Sequence, residues 1–171
     1  MDVIELAAEL MSLSARTAPK ASGQDFIETK VVTGDDLKRL NEDMVKYGIE
    51  SGKKNFDRDG KNVERSGAVL LISLNKPKKA GLNCGACGYN KCDKLPDFKP
   101  GTEFDGPICA WRLIDLGIAI GSAVKTASML NVDNRIMYRI GISAKRLNLI
   151  DGEIVVGIPL SATGKNIYFD R

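Results

Sequence analysis

The sequence predicts an α+β or α/β sandwich from three observations. Stretches with helical apolar spacing alternate with short, nearly continuous apolar runs. The 171 residues are 43% apolar and 27% charged, ordinary for a globular chain that buries its core without disulfide staples. Its 4 cysteines all fall between positions 84 and 109, in a Gly- and Pro-rich stretch rather than spread as a disulfide framework spreads them.

In chain order, residues 2–14 read as an amphipathic helix, with Val3, Ile4, Leu6, Ala7, Leu10 and Leu13 near helical spacing. Pro19 and Gly23 end that region, so Arg16-Thr17-Ala18-Pro19-Lys20 is a turn behind the helix. Residues 28–32 read as a short strand. Thr33-Gly34-Asp35-Asp36 opens a second helix over 35–50, whose apolar face carries Leu37, Leu40, Met44, Val45 and Tyr47. Residues 51–66 are polar and read as an exposed loop. Residues 67–74, apolar except for Ser73, read as a buried strand. Residues 75–110 hold the cysteines and most of the prolines, and little regular structure is expected there.

Residues 111–130 read as a central helix, apolar on most of its circumference and therefore buried. Gly117, Ala119, Gly121, Ser122 and Ala123 would let neighbours approach it closely. Residues 135–141 read as a strand, 143–149 as a short helix, and 153–158 as a strand ended by Pro159. The tail from Ser161 is polar apart from Tyr168-Phe169.

Composition excludes several functions. The net charge of +3 comes from scattered basic residues and is too mild to argue for nucleic acid. The clusters at Lys53-Lys54 and at Lys76, Lys78 and Lys79 read as solvated loops in preference to a docking patch for an acidic partner. The start Met1-Asp2-Val3-Ile4-Glu5 lacks a basic n-region. The most apolar stretch is broken by Arg112, Asp115 and Lys125. A soluble cytoplasmic protein without a membrane partner is expected. With 0 histidines, the Ser-His and Cys-His nucleophile pairs and His-containing zinc sites are all excluded. Any enzymatic chemistry must then rest on a cofactor.

The cysteines read Cys84-Gly85-Ala86-Cys87-Gly88-Tyr89-Asn90-Lys91-Cys92, followed by Cys109. Three thiolates close in sequence can wrap three corners of a cube. A fourth returns after Pro96, Pro100 and Pro107 have turned the chain. Gly85 and Gly88 allow the positive φ that aims backbone N–H groups at sulfur. The residues therefore point to a [4Fe–4S] cluster on Cys84, Cys87, Cys92 and Cys109. A four-cysteine zinc site is the alternative, although zinc ribbons pair two C-x2-C knuckles and this chain has one. Free or disulfide-bonded cysteines are a third.

The spacing resembles the iron–sulfur module of corrinoid iron–sulfur proteins and of the Rnf-type electron-transport subunit, C-x2-C-G-x3-C with a fourth Cys about sixteen residues on. The resemblance covers the four cysteines and Gly88. It departs after Cys92, where that module is helical and this chain has Asp93-Lys94-Leu95-Pro96.

A second resemblance is to the nitroreductase family. It rests on the long apolar helix followed by Leu130-Asn131-Val132, then on the order strand, short helix and strand closing in Gly157-Ile158-Pro159. It implies an α+β fold over 1–171: a central, mainly antiparallel sheet flanked by helices, with the cysteine loop of 75–110 inserted before the buried helix. It also implies that Arg16, Thr17 and Lys20, with Arg171, grip the phosphate of FMN, because guanidinium and ammonium donors suit a phosphate dianion. A homodimer follows from the same resemblance, with Tyr168-Phe169 as a tail anchor on the partner. The whole chain further resembles a family of bacterial and archaeal proteins described as containing a ferredoxin domain, through Ala15–Lys20, the cysteine loop and the Gly-Ile-Pro-Leu-Ser end.

Three functions remain open at this point. The first is an FMN- and [4Fe–4S]-dependent oxidoreductase passing electrons between cluster and flavin, with a partner protein or small redox substrate. The second is an iron–sulfur electron carrier or sensor without flavin. The third is a zinc-bound structural module. No P-loop, no G-x-G-x-x-G and no paired acid/base carboxylates are present, so no catalytic residue is assigned.

Overall fold

The structure, a computed structural model, describes residues 2–169. Helix α1 spans Val3–Thr17, opened by a capping box in which Asp2 accepts from the Val3 N–H at 2.6 Å and Glu5 from the Asp2 N–H at 3.3 Å. Strand β1 (Ile27–Val32), helix α2 (Asp35–Ser51) and strand β2 (Ala68–Leu74) follow near their expected places. Gly34, at φ 59°, takes the N-cap position of α2.

Residues 51–66 are not the expected loop. Helix α3 (Phe56–Glu64) lies there and buries Phe56, Asp59, Gly60 and Val63. Two apolar anchors gave a weak period, and the face is completed by a buried carboxylate. Asp59 is held by Arg58 and Arg139, each at 2.8 Å. Gly60 lets α3 close on α2, since a Cβ there would sit 2.6 Å from the Asn41 side chain.

Helix α4 (Ala110–Met129) confirms a long helix but corrects its burial. Its inward stripe is Arg112, Asp115, Leu116, Ala119, Ala123 and Ala127, while Leu113, Ile114, Ile118 and Met129 are exposed. Small alanines let α4 lie close to the sheet and α1, which turns the larger apolar residues outward. Strand β3 is only Asp133–Asn134, and the expected strand over 135–141 is instead a short connection followed by the first turn of α5 (Tyr138–Arg146). Gly141 permits this, because a Cβ there would lie 1.7 Å from the Val155 carbonyl oxygen. Strand β4 runs Ile154–Ser161, through Pro159 rather than ending at it. Asn134 pairs with Leu160 and ends β3, so no β3 N–H or C=O ladder extends opposite Pro159.

The sheet order is β1-β2-β4-β3, antiparallel throughout. Strand β2 is central and wholly buried. Its alternation sends Ala68, Leu70, Ile72 and Leu74 to the α1/α4 face, and Val69 and Leu71 to the face covered by α2, α3 and α5. The tail returns onto this second face. Ile167 and Tyr168 are buried there, and the Tyr168 hydroxyl shares a 2.8 Å hydrogen bond with Ser66 Oγ. Tyr168 is thus a core residue of its own chain, not a free anchor. Phe169 is exposed, with the Arg135 guanidinium 5.1 Å from its ring centre. No helix among the described residues is long and apolar enough to cross a membrane.

Candidate metal centre

Between β2 and α4 the chain leaves the sandwich for some 35 residues with a single 3₁₀ turn, Cys92–Lys94. Polar tethers hold this excursion to the body. Glu153 accepts from the Lys76 N–H at 2.6 Å, Asp105 pairs with Lys145 at 3.1 Å, and Glu103 accepts from the Tyr47 hydroxyl at 2.8 Å. Lys99 and Gly106 exchange backbone hydrogen bonds at 2.8 and 3.1 Å, closing the return toward Cys109. Leu95 is its buried apolar pin.

Within it, the four cysteines line one hollow together with Leu82, Tyr89 and Trp111. Cys84 is exposed, Cys87 and Cys92 are half-buried, and Cys109 is buried at the N-cap of α4. Gly85 and Gly88 adopt φ 75° and 87°, and the Gly88 N–H closes a turn onto Gly85 O at 2.9 Å. Donors already point at sulfur. The Trp111 indole N–H reaches Cys84 Sγ at 3.2 Å and the Asn83 N–H reaches Cys92 Sγ at 3.3 Å. Asn83 Oδ1 in return accepts from the Cys92 N–H at 2.8 Å. The Ala86 backbone N–H and the Trp111 indole draw the Cys84 thiol below its ordinary pKa. The positive end of the α4 dipole lies at Cys109.

Among the described residues, no three His, Cys, Asp or Glu side chains gather closely enough to hold a lone ion. The donor set, all soft sulfur with N–H groups aimed at it, fits a cluster.

Behind the hollow lies a network that sequence reasoning missed. Arg112, 0% exposed, donates from Nε to Lys78 O at 2.8 Å, from Nη1 to Ala21 O at 3.0 Å and Asp115 Oδ2 at 3.1 Å, and from Nη2 to Gln24 Oε1 at 2.5 Å. Its guanidinium lies 4.9 Å from the Phe26 ring centre. Asp115 Oδ1 accepts from the Ala21 N–H at 2.8 Å. Arg112 thus ties the cysteine excursion, the α1–β1 connection and α4 together one turn from Cys109. Its distance from Cys109 was the available sign. Asn83 carried none.

The residues expected to grip a flavin phosphate sit beside this network but are already engaged. Arg16 pairs with Asp25 at 2.6 Å and donates to the Ile27 carbonyl. Lys20 is 3.9 Å from Asp25, reaches Ala15 O at 3.3 Å and donates to the Arg16 carbonyl. Thr17 Oγ1 donates to Leu13 O at 3.0 Å. Asp25, nine residues beyond Arg16, gave no local sign of this partnership. Arg171 lies outside the described residues.

Three solved structures share the architecture. A nitroreductase family protein from Clostridium novyi NT is 16% identical, with TM-score 0.57 over 98% of this chain and 80% of that one. A nitroreductase with bound FMN from Bacteroides fragilis is 13% identical, with TM-score 0.60 over 95% and 79%. An FMN-dependent nitroreductase from Mycobacterium smegmatis, in complex with NADPH, is 12% identical, with TM-score 0.62 over 98% and 82%. At such identities the likeness defines the fold, which is nitroreductase-like: among the described residues, a four-stranded antiparallel sheet flanked by five α-helices.

An uncharacterized protein of Archaeoglobus fulgidus is 48% identical over 169 residues, 98% of this chain and 91% of that protein. Residues 105–171 match the family described as "Uncharacterized protein containing a ferredoxin domain (DUF2148)". The chain belongs to that family, whose description names a ferredoxin domain, a redox module.

Proposed function

We propose that the protein holds a [4Fe–4S] cluster on Cys84, Cys87, Cys92 and Cys109 and passes single electrons to and from a partner protein or small redox substrate. The observation that carries this reading is the convergence of all four cysteines on one hollow, with N–H donors from Trp111 and Asn83 on two of the sulfurs. The bound cluster would supply one-electron chemistry, at a potential set by such hydrogen bonds and by exposure. The chain's own residues orient the thiolates, bring the α4 dipole to Cys109 and leave Cys84 open to a partner. In this reading residues 75–110 are a cluster-bearing loop within one domain over 1–171, and the protein acts in the cytoplasm.

The second reading adds FMN, making the protein an FMN- and cluster-dependent oxidoreductase. Solved neighbours that bind FMN support it. The side chains at the phosphate position support it less well, since a phosphate between Arg16 and Lys20 would have to displace the Asp25 carboxylate. A homodimer is part of either reading, favoured by apolar side chains left exposed on adjoining helices: Leu6, Leu10 and Leu13 of α1, and Ile114 and Ile118 of α4.

The deciding experiment is anaerobic purification with iron, labile sulfide, zinc and flavin assays and a visible spectrum. Equal iron and sulfide with a broad visible charge-transfer band are expected. Zinc without iron or sulfide would replace the cluster with a structural metal. Flavin that neither co-purifies nor binds when added would end the second reading.

A further inference from the structure

Cys109 belongs to two hollows. One is the cysteine hollow, and the other is a cleft of about 490 Å³ walled by residues 76–79, 95–98 and 107–109. That volume suits a small organic ligand. The cleft combines two chemistries. Pro77, Pro96, Pro107 and Phe98 give it flat apolar walls, while Lys76, Lys78 and Lys79 give it positive charge. Of the three lysines only Lys79 has an ion-pair partner among the described residues, at 3.4 Å, and that partner, Asp97, is 98% exposed. The other two are fixed by their backbones rather than their ammonium groups. Glu153 holds the Lys76 N–H and Arg112 holds the Lys78 carbonyl. The walls are therefore preorganised, and the ammonium groups of Lys76 and Lys78 stay available to an anion.

We propose that this cleft binds a planar aromatic anion, held at its charged end by Lys76 and Lys78 and at its ring by the proline and Phe98 walls, with Cys109 shared between it and the cysteine hollow. The assignment rests on the cluster reading for its redox meaning but not for the binding itself. It relocates the anion from Arg16 and Lys20, whose charges face Asp25, to Lys76 and Lys78, whose ammonium groups have no ion-pair partner among the described residues. The carboxylate that lines the cleft, Asp97, is taken up by Lys79. A flavin phosphate and an aromatic carboxylate share this chemistry.

The test titrates anaerobically purified protein with its metal in place. Two anionic probes, FMN and anthranilate, are followed by fluorescence, with uncharged riboflavin as comparison. One site per chain is expected for at least one anion, and the tighter of the two identifies the source. Lys76→Gln/Lys78→Gln should weaken binding about tenfold or more, as loss of charge-assisted hydrogen bonds does, while Lys54→Gln, on another face, leaves it unchanged. Bound anthranilate should also make the cluster potential more negative, and the double variant should abolish that shift. The proposal is overturned if neither anion saturates, if riboflavin binds as tightly as FMN and anthranilate does not bind, or if the double variant binds like the parent. Iron and sulfide are measured on the same samples. Lysine-dependent binding to an iron-free protein would sink the cluster reading and leave the cleft standing. Lysine-independent behaviour of an iron-loaded protein would do the reverse.

Discussion

Arg112 makes more hydrogen bonds than any other side chain near the cysteine hollow, and its burial sets what its loss would do. Removing one partner of a buried ion pair leaves the other charge uncompensated, at about 3–5 kcal/mol. Arg112→Leu would strand Asp115 and free the Lys78 carbonyl. Urea denaturation should register a loss of about that size, and Arg112→Lys should recover only part of it because one ammonium cannot span four acceptors. Tyr168 offers a pH-dependent counterpart. Burial raises its phenol above the ordinary value of 10.0. A raised pKa in the folded state means its contribution is fully present below that value and is lost as the phenol ionises above it. Stability followed by circular dichroism should therefore fall above about pH 10, and Tyr168→Phe should flatten that alkaline decline while costing about 1 kcal/mol at neutral pH for the Ser66 hydrogen bond.

At the scale of elements, α5 and α4 carry the informative differences from the sequence reading. Residues 135–141 contain enough β-branched and aromatic character to suggest a strand, yet Gly141 brings α5 against the backbone of β4. The obstacle to any side chain there is a carbonyl oxygen, which cannot rotate away. Gly141→Ala is expected to cost about 3 kcal/mol or more, visible as a lowered thermal midpoint. For α4, sequence reading gives its length and start but not which face is buried. The inward stripe contains Arg112 and Asp115, which hydropathy alone assigns to solvent. Ile114 and Ile118 face outward, with Gly117 and Gly121 open beside them. Ile118→Glu should convert the proposed dimer to a monomer in sedimentation velocity with an unchanged circular dichroism spectrum. A parent protein that sediments as a monomer would refute the dimer.

For the molecule as a whole, the loop of 75–110 docks on the sandwich through Phe104 and Ile108 and through polar tethers, while its cysteines stay outside both cores. The two cores lie on opposite faces of the sheet and contain none of the cysteines. Loading the metal should therefore not drive folding as it does in a zinc finger. Cys92→Ser is expected to abolish cluster absorbance while shifting the thermal midpoint by only a few degrees. Global unfolding on metal removal would contradict this.

The cysteine spacing, the turn glycines Gly85 and Gly88, the buried strand β2 and the limits of α2 are legible in the chain alone, because each rests on local geometry or on a periodicity within one segment. So is the position of Cys109 at the start of α4. That Asp59 and Arg112 are interior, that α3 is a helix, that Tyr168 returns to its own core and that Asp25 faces Arg16 and Lys20 emerges only once the chain is folded. Each of these depends on a charge or ring meeting its partner from a distant segment. A buried ion pair has no period in the chain, and its residues look like surface until the fold brings the opposite charge to them.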